Sequence, residues 1–278
     1  MLVYRIKSGI LIEEASNYYL LTGEDWDRFI NDDELFHKIR SRITQAGKIE
    51  NPQALLTDEL LPPLVNQEVW ASGVTYYNSK LGREEESKEA GGSNFYARVY
   101  EAERPELFFK ATAARTVGHG GKVRIRRDSS WDVPEPELTL FLTSSGRIVG
   151  YTIGNDMSSR SIEGENPLYL PQAKTYDGCA SLGPGILVTE EALPPTTKIA
   201  LEIKRDGSAV FRGEVLINQI RRNFKDLAAF LYRECTFPNG SFLMTGTGIV
   251  PSNDFTLKSG DEIRIGIDGI GTLVNTVA

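Results

Sequence analysis

The stretch Pro134-Glu135-Pro136-Glu137-Leu138-Thr139-Leu140-Phe141-Leu142-Thr143 decides how this chain is read. Its second half has the β-forming composition of a strand. Glu135 and Glu137 are two residues apart, and on an extended backbone positions i and i+2 point to the same side. Two carboxylates are thus aimed at one point at the mouth of a sheet, and Pro134 and Pro136 stiffen the approach. The next apolar strand, IVGYTIGND, ends in Asp156. A hairpin turning at Ser144-Ser145-Gly146 brings Asp156 beside the pair. Three clustered carboxylates repel one another unless a cation sits between them. Hard oxygen ligands suit Mg²⁺, with Mn²⁺ or Ca²⁺ as substitutes, at roughly 2.0–2.6 Å. Scarce His and Cys weigh against zinc. Taken alone, Glu-x-Glu is equally a charged alternation on the solvated face of an edge strand.

Outward from this strand, residues 66–278 read as a succession of short strands separated by Gly, Asp-Gly and Pro turns. Candidates are EVWASGV, GKVRIRR, IVGYTIGND, GPGILVT, TKIALEIKRDG, SAVFRGEVLI, GSFLMTGTG and DEIRIGIDGIGTLVNTV. RRNFKDLAAFLYREC is an amphipathic helix among them. Helix does not alternate regularly with strand, which argues against a parallel doubly wound sheet. Residues 1–65 form a smaller unit. MLVYRIKSGILIEEA suggests a hairpin turning at Ser8-Gly9. EDWDRFINDDELFHKIRSRI suggests one or two amphipathic helices, with Trp26, Phe29, Ile30, Leu35, Phe36 and Ile39 at helical spacing. Pro62-Pro63 then punctuates an extended crossover. The fold class is α+β and mostly β: a small N-terminal α/β domain, 1–65, beside a β-rich barrel or roll, 66–278.

The 278 residues carry a net charge of −7. That acidity disfavours general binding of nucleic acid or an anionic membrane. No apolar run approaches the roughly 18 residues that span a bilayer, and the first residues alternate like a strand. With two cysteines, Cys179 and Cys235, neither a disulfide framework nor a Cys-based zinc site is expected. The reading is a cytoplasmic protein.

Several stretches in order, EPELTLFL, GYTIGNDMSSR, LPQAKTYDGCASLGPGILV, TGTGIVP and GDEIRI, resemble the fumarylacetoacetate hydrolase superfamily over residues 70–278. The resemblance implies a mixed β-roll catalytic domain and a divalent metal, usually Mg²⁺, on Glu135, Glu137 and Asp156. It places the family lysine at Lys174, as base or as charge neutraliser, and the residue of the Gly-Thr-Gly turn at Thr247, where Gly246 and Thr247 would bind a substrate carboxylate. Tyr76 and Lys110 are further candidates for substrate binding; Lys110 and Arg160 are equally candidates for ion pairs around the metal. A small anionic 2-keto acid is the implied partner, and a homodimer or larger homo-oligomer the implied assembly.

RPELFFKATAARTVGHG, SSWDVPEPEL and SIEGENPLYLPQAK resemble, within that superfamily, the subgroup of 2-keto-3-deoxy-D-arabinonate dehydratases. Hydrolases of the superfamily carry Asn-Tyr-x-x-His-x-x-Glu after a glycine, and their histidine activates water. Here the stretch is Gly73-Val74-Thr75-Tyr76-Tyr77-Asn78-Ser79-Lys80-Leu81-Gly82. Ser79 stands at the histidine and Gly82 at the glutamate, and serine without a base partner does not deprotonate water near neutral pH. Glu84, Glu85 and Glu86 offer either a carboxylate on a lid or a solvated charged loop. His37 reads as a surface or packing residue and His119 as a turn residue. The expected activity is dehydration of a 2-keto-3-deoxy-pentonate to 2,5-dioxopentanoate. The alternatives are a C–C bond hydrolase of acylpyruvate type, a decarboxylase or isomerase on the same platform, and a non-catalytic metal-binding paralogue.

Overall fold

The computed structural model describes residues 1–86 and 93–278; the side chains of 84–86 and 93–95 fall outside that description. The chain opens with three antiparallel strands, β1 Leu2–Ile6, β2 Gly9–Glu14 and β3 Asn17–Leu21, and three helices, α1 Trp26–Ile30, α2 Leu35–Ile43 and α3 Pro52–Asp58. It continues through β4 Glu68–Gly73, α4 Tyr77–Glu86, α5 Ser93–Glu101, β5 Glu106–Ala111, β6 Thr116–Val117, β7 Lys122–Val123, β8 Asp132–Leu142 and β9 Ile148–Ser159. Helices α6 Arg160–Glu165 and α7 Leu170–Lys174 precede β10 Ala180–Leu187, β11 Lys198–Arg205 and β12 Ser208–Leu216. The last elements are α8 Phe224–Leu231, β13 Ser241–Met244, β14 Glu262–Ile267 and β15 Gly271–Val277.

Two sheets result. The larger runs β3-β2-β1-β10-β9-β8-β13-β4-β5, with β6 pairing β10 in parallel. The smaller runs β12-β11-β14-β15-β7. Most neighbours are antiparallel, but β13 with β4 and β15 with β7 are parallel, so both sheets are mixed. The larger sheet is rolled. Strand β5 lies four places from β9 in strand order, yet Lys110 of β5 reaches Asp156 of β9 at 2.6 Å. From β5 the chain crosses to β10 through β6, which closes the roll around the two carboxylate-bearing strands.

Strand β8 is buried on both faces, and alternation sorts its residues. Leu138, Leu140 and Leu142 join Ile153 and Met157 of β9 in a core shared with Leu201, Ile203, Ile263, Ile265 and Leu227 from the smaller sheet and α8. Phe141 faces the other way, into a second core with Val69, Phe242, Ile186 and the helical residues Trp26, Phe29, Ile30, Leu35 and Ile39. Glu135 and Glu137 share the parity of Phe141, so they leave the core between the sheets and point to the opposite face.

The sequence boundary at residue 65 crosses continuous structure. Strand β1 pairs with β10, and α1 and α2 share a core with β4, β8 and β13. The first hairpin turns one residue earlier than expected, since Ile6 pairs with Gly9 and Lys7-Ser8 form the turn. GKVRIRR yields only the two-residue β7, because Arg124 N–H already bonds the Gly178 carbonyl. Strand β5 was not anticipated. The turn after β8 falls at Ser144-Ser145 as its residues require.

Candidate active site

Strands β8 and β9 pair so that Glu135 lies directly opposite Asp156. Opposed residues of an antiparallel pair share a face, and Glu137 shares it by the two-residue repeat. The outcome is three buried carboxylates with an oxygen from each lying within 4.8 Å of the others. Burial raises the Glu137 carboxyl well above its usual value, and its neighbours Asp156 and Glu135 raise it further. Burial likewise raises Glu135, with Lys174 opposing. Such a set stays ionised only when cations offset it, and its donors are all hard oxygens. It therefore fits a divalent ion of the Mg²⁺ type.

The protein's own cations surround the set. Lys174, at the end of α7, is fully buried and bonds Glu135 Oε2 at 2.7 Å and Asp156 Oδ2 at 3.0 Å. Burial pulls its amine down, but Asp156 and Glu135 outweigh that and hold it above the usual lysine value. Arg160 donates to Glu135 Oε1 at 2.9 Å. Strand β9 ends at Ser159, so α6 begins with Arg160 and carries Glu163 one turn on, on the same helical face. Glu163 forms an ion pair with Arg83 of α4. Burial would raise Glu163, but Arg83, Lys174 and Arg160 overcome it and hold the carboxyl down to about 2.

A narrow cavity opens over the carboxylates. Its wall includes Gly73, Ser79, Arg83, Phe108 and Thr247 beside the three acids. The free volume is about 20 Å³, room for roughly one water or one ion.

Glu106 is the functional candidate that sequence reasoning missed. It begins β5 opposite Gly73, and a side chain at Gly73 would collide with its Oε2. That oxygen is buried beside Gly73, off the cavity wall itself, and makes no hydrogen bond among the described residues. Burial raises the carboxyl, Arg83 partly offsets this, and Glu163 raises it again. Glu106, Phe108 and Lys110 alternate along β5 and share one face, but that pattern alone does not say what the face meets. Phe108 lines the cavity and lies under Lys174 Nζ, 5.7 Å from its ring centre, and Lys110 touches Asp156.

Two expected substrate contacts, Tyr76 and Lys110, lie off the cavity wall. The Tyr76 side chain, 1% exposed, belongs to the core between the sheets, where its ring fills the space beside Gly248. Lys110 is fully buried behind Asp156, off the cavity wall. Gly246 and Thr247 do reach the site. Gly246, at φ +92°, directs its N–H to Glu137 Oε2 at 2.6 Å, so this donor serves the carboxylate. The Thr247 hydroxyl lies on the cavity wall and bonds the Ile249 carbonyl at 3.3 Å. Ser79 faces the cavity too, but its Oγ accepts from Tyr76 N–H at 3.1 Å and donates to the Tyr76 carbonyl at 2.8 Å. That ties the hydroxyl to the start of α4. The carboxylates of Glu84, Glu85 and Glu86 lie outside the described residues. His37 is exposed beside Glu190 at 3.3 Å, and His119 Nδ1 accepts from Val274 N–H in a turn.

Comparison with known proteins agrees with this geometry. Residues 75–278 match the model of the fumarylacetoacetate (FAA) hydrolase C-terminal family. A probable 2-keto-3-deoxyxylonate dehydratase of Haloferax volcanii is 48% identical over 86% of this chain and 82% of its own. The 2-dehydro-3-deoxy-D-arabinonate dehydratase of Saccharolobus solfataricus is 46% identical over 77% of this chain and 73% of its own. Among solved structures, 2-keto-3-deoxy-D-arabinonate dehydratase complexed with magnesium and 2,5-dioxopentanoate superimposes with a TM-score of 0.83 at 37% identity, covering 100% of this chain and 98% of that one. With the rolled sheet and the Glu-x-Glu and Asp cluster in place, the chain belongs to the fumarylacetoacetate hydrolase family.

Proposed function

We propose that this protein is a Mg²⁺-dependent dehydratase, a hydro-lyase that converts a 2-keto-3-deoxy-pentonate to 2,5-dioxopentanoate and water. The observation that carries the reading is the buried set of Glu135, Glu137 and Asp156, which fits a divalent cation, with Glu106 near it: a buried carboxyl whose Oε2 bonds none of the described residues. Identity of 46–48% to two dehydratases supports it. Their names also converge: without stereocentres at C2 and C3, a D-xylonate and a D-arabinonate derivative share the one that remains, C4.

A magnesium ion held by Glu135, Glu137 and Asp156 would, when bound, give the substrate's carboxylate and 2-oxo oxygens a common anchor and make its C3 protons more acidic. Glu106 removes a C3 proton onto its free oxygen. Its raised proton affinity makes it a stronger base than a solvated glutamate. Lys174, bonded to Glu135 and Asp156, would donate to the oxygen where charge gathers. Glu106 then delivers its proton to the departing C4 hydroxyl, which leaves as water. Elimination leaves a C3=C4 double bond conjugated with the 2-oxo group; transfer of a C5 proton to C3 gives the C4=C5 enol, which tautomerises to the aldehyde. Thr247 and Arg83 contact the rest of the acid from the cavity wall. Residues 66–278 carry this chemistry, and 1–65 brace its sheet. The two free cysteines suit a reducing cytoplasm, and a homodimer or larger assembly belongs to the same proposal.

A hydrolase reading needs a group that activates water, and Ser79 is committed to the Tyr76 backbone. Incubation with 2-keto-3-deoxy-D-arabinonate and Mg²⁺, followed by mass analysis, tests the proposal. The expected product has lost one water. Cleavage of an acylpyruvate with no water loss from any 2-keto-3-deoxy sugar acid overturns it.

A further inference from the structure

Of the cluster's cations among the described residues, Arg83 and Arg160 line the cavity, while Lys174 and Lys110 lie off its wall; Lys174 bonds two of the acids, and Lys110 reaches one of them. Lys110 is 0% exposed. Its Nζ lies 2.6 Å from Asp156 Oδ1, donates to the Met157 carbonyl at 2.9 Å, and donates to the Lys174 carbonyl. These partners belong to two elements. Asp156 and Met157 are neighbours on β9, and the Lys174 carbonyl closes α7. An apolar side chain of similar length would fill the space without the cost of burying an ammonium group. What lysine adds is direction. It presses on the Asp156 oxygen opposite the one that Lys174 bonds. It also fixes the main chain on which Lys174 stands.

We propose that Lys110 is a positioning residue, which sets the orientation of Asp156 toward the divalent cation and locks the spacing between Asp156 and Lys174. The inference rests on the metal site proposed above. A carboxylate held from behind keeps one face for its cation, and partners of this kind typically contribute 10- to 100-fold to metal affinity. The hydrogen bonds to the two carbonyls make the arrangement stiff, because loss of the amine leaves both oxygens buried without that donor.

The test uses Mn²⁺ as the probe, followed by its paramagnetic resonance signal, in the full-length protein and in Lys110→Met and Lys110→Gln. The expected result is a dissociation constant raised about 10- to 100-fold per folded molecule, a changed Mn²⁺ line shape, and a fall in kcat. A residue that only fills the core would lower the melting temperature and leave Mn²⁺ affinity unchanged. Affinity within threefold of wild type for a folded variant therefore overturns the proposal. If neither variant folds, ¹⁵N-lysine-labelled wild type decides. The protected Nζ resonance of Lys110 must shift on Mg²⁺ titration, and a signal unmoved at saturation overturns the role. Wild type that binds Mn²⁺, with loss of binding in Glu137→Gln, keeps the metal reading standing whatever Lys110 does. Wild type that binds none removes both.

Discussion

Glu106 differs from an ordinary surface glutamate in both its oxygen and its proton affinity. One carboxylate oxygen is buried without a hydrogen bond, and burial raises the group above the usual range. A general base acts in its ionised form, so a raised value means that activity is lost as pH falls through a point above the ordinary glutamate value of about 4.3. The profile of kcat/KM should show that acid limb, and a limb at or below the ordinary value excludes Glu106 as the base. Glu106→Gln should cut kcat by about 10²–10⁴-fold, the scale of lost acid–base catalysis, while Mn²⁺ still binds. A variant with most of its turnover removes Glu106 from the mechanism. At this scale the sequence exposed the acidic cluster better than the proposed base. Glu135, Glu137 and Asp156 follow from local spacing and one hairpin. Glu106 depends on a roll that brings β5 across to β9, and no local pattern encodes that approach. The placement of the Tyr76 ring in the core was not legible either, because a motif position gives no direction for a side chain. Gly248 leaves a gap that the ring fills.

Helix α4 contributes Ser79 and Arg83 to the cavity wall, and two contacts help to hold it there. Helix α4 starts at Tyr77, and Ser79 supplies the side-chain acceptor for the Tyr76 N–H, as the third residue of a helix does in a capping box. Ser79→Ala should therefore lower stability by about 1 kcal/mol, the value of a cap, and leave kcat within roughly threefold. A loss of about 10²-fold in kcat at unchanged stability would instead give the hydroxyl a role in catalysis. The second anchor is the buried pair between Arg83 of α4 and Glu163 of α6. Glu163 is held down to about 2, so its stabilisation is fully present above its unfolded value and is lost as pH falls from about 4.5 toward 2. Glu163→Gln should cost about 3–5 kcal/mol by removing the carboxylate of a buried ion pair. It should also flatten the acid side of the stability curve; denaturant titrations at several pH values read both effects. The amphipathic helices α1, α2 and α8 were legible because apolar residues recur at helical spacing over one buried face. Helices α6 and α7 were not, since five or six residues with internal Pro or Gly show no period.

At the scale of the whole molecule, a chain of net charge −7 gathers its buried cations at one place. Glu106, Glu135, Glu137, Asp156 and Glu163 face Arg83, Lys110, Arg160 and Lys174, all within the roll and its cover. The acids outnumber the bases by one. A divalent cation reverses that sign, so the same site that repels an anionic acid before the metal enters attracts it afterwards. The fold class could be read without this balance, because the strands of both sheets are local patterns. The closure of the roll could not, because it is set by contacts such as that of Lys110 with Asp156, between residues far apart in sequence. The metal should consequently act on the folded state as a whole. The unfolded chain has no convergent triad, so Mg²⁺ binds the native form and stabilises it by about 2.7 kcal/mol at one hundred times its dissociation constant. For a chain of this length each kcal/mol moves the melting temperature by about 2–4 °C. Addition of Mg²⁺ to chelator-treated protein should thus raise the midpoint by several degrees, with dependence on concentration. Glu137→Gln, which removes one ligand and weakens the bond from Gly246 N–H, should abolish that rise. A midpoint unchanged by Mg²⁺ in the wild-type protein would mean that the triad holds no divalent ion, and the dehydration proposed here would lose its anchor for the 2-keto acid.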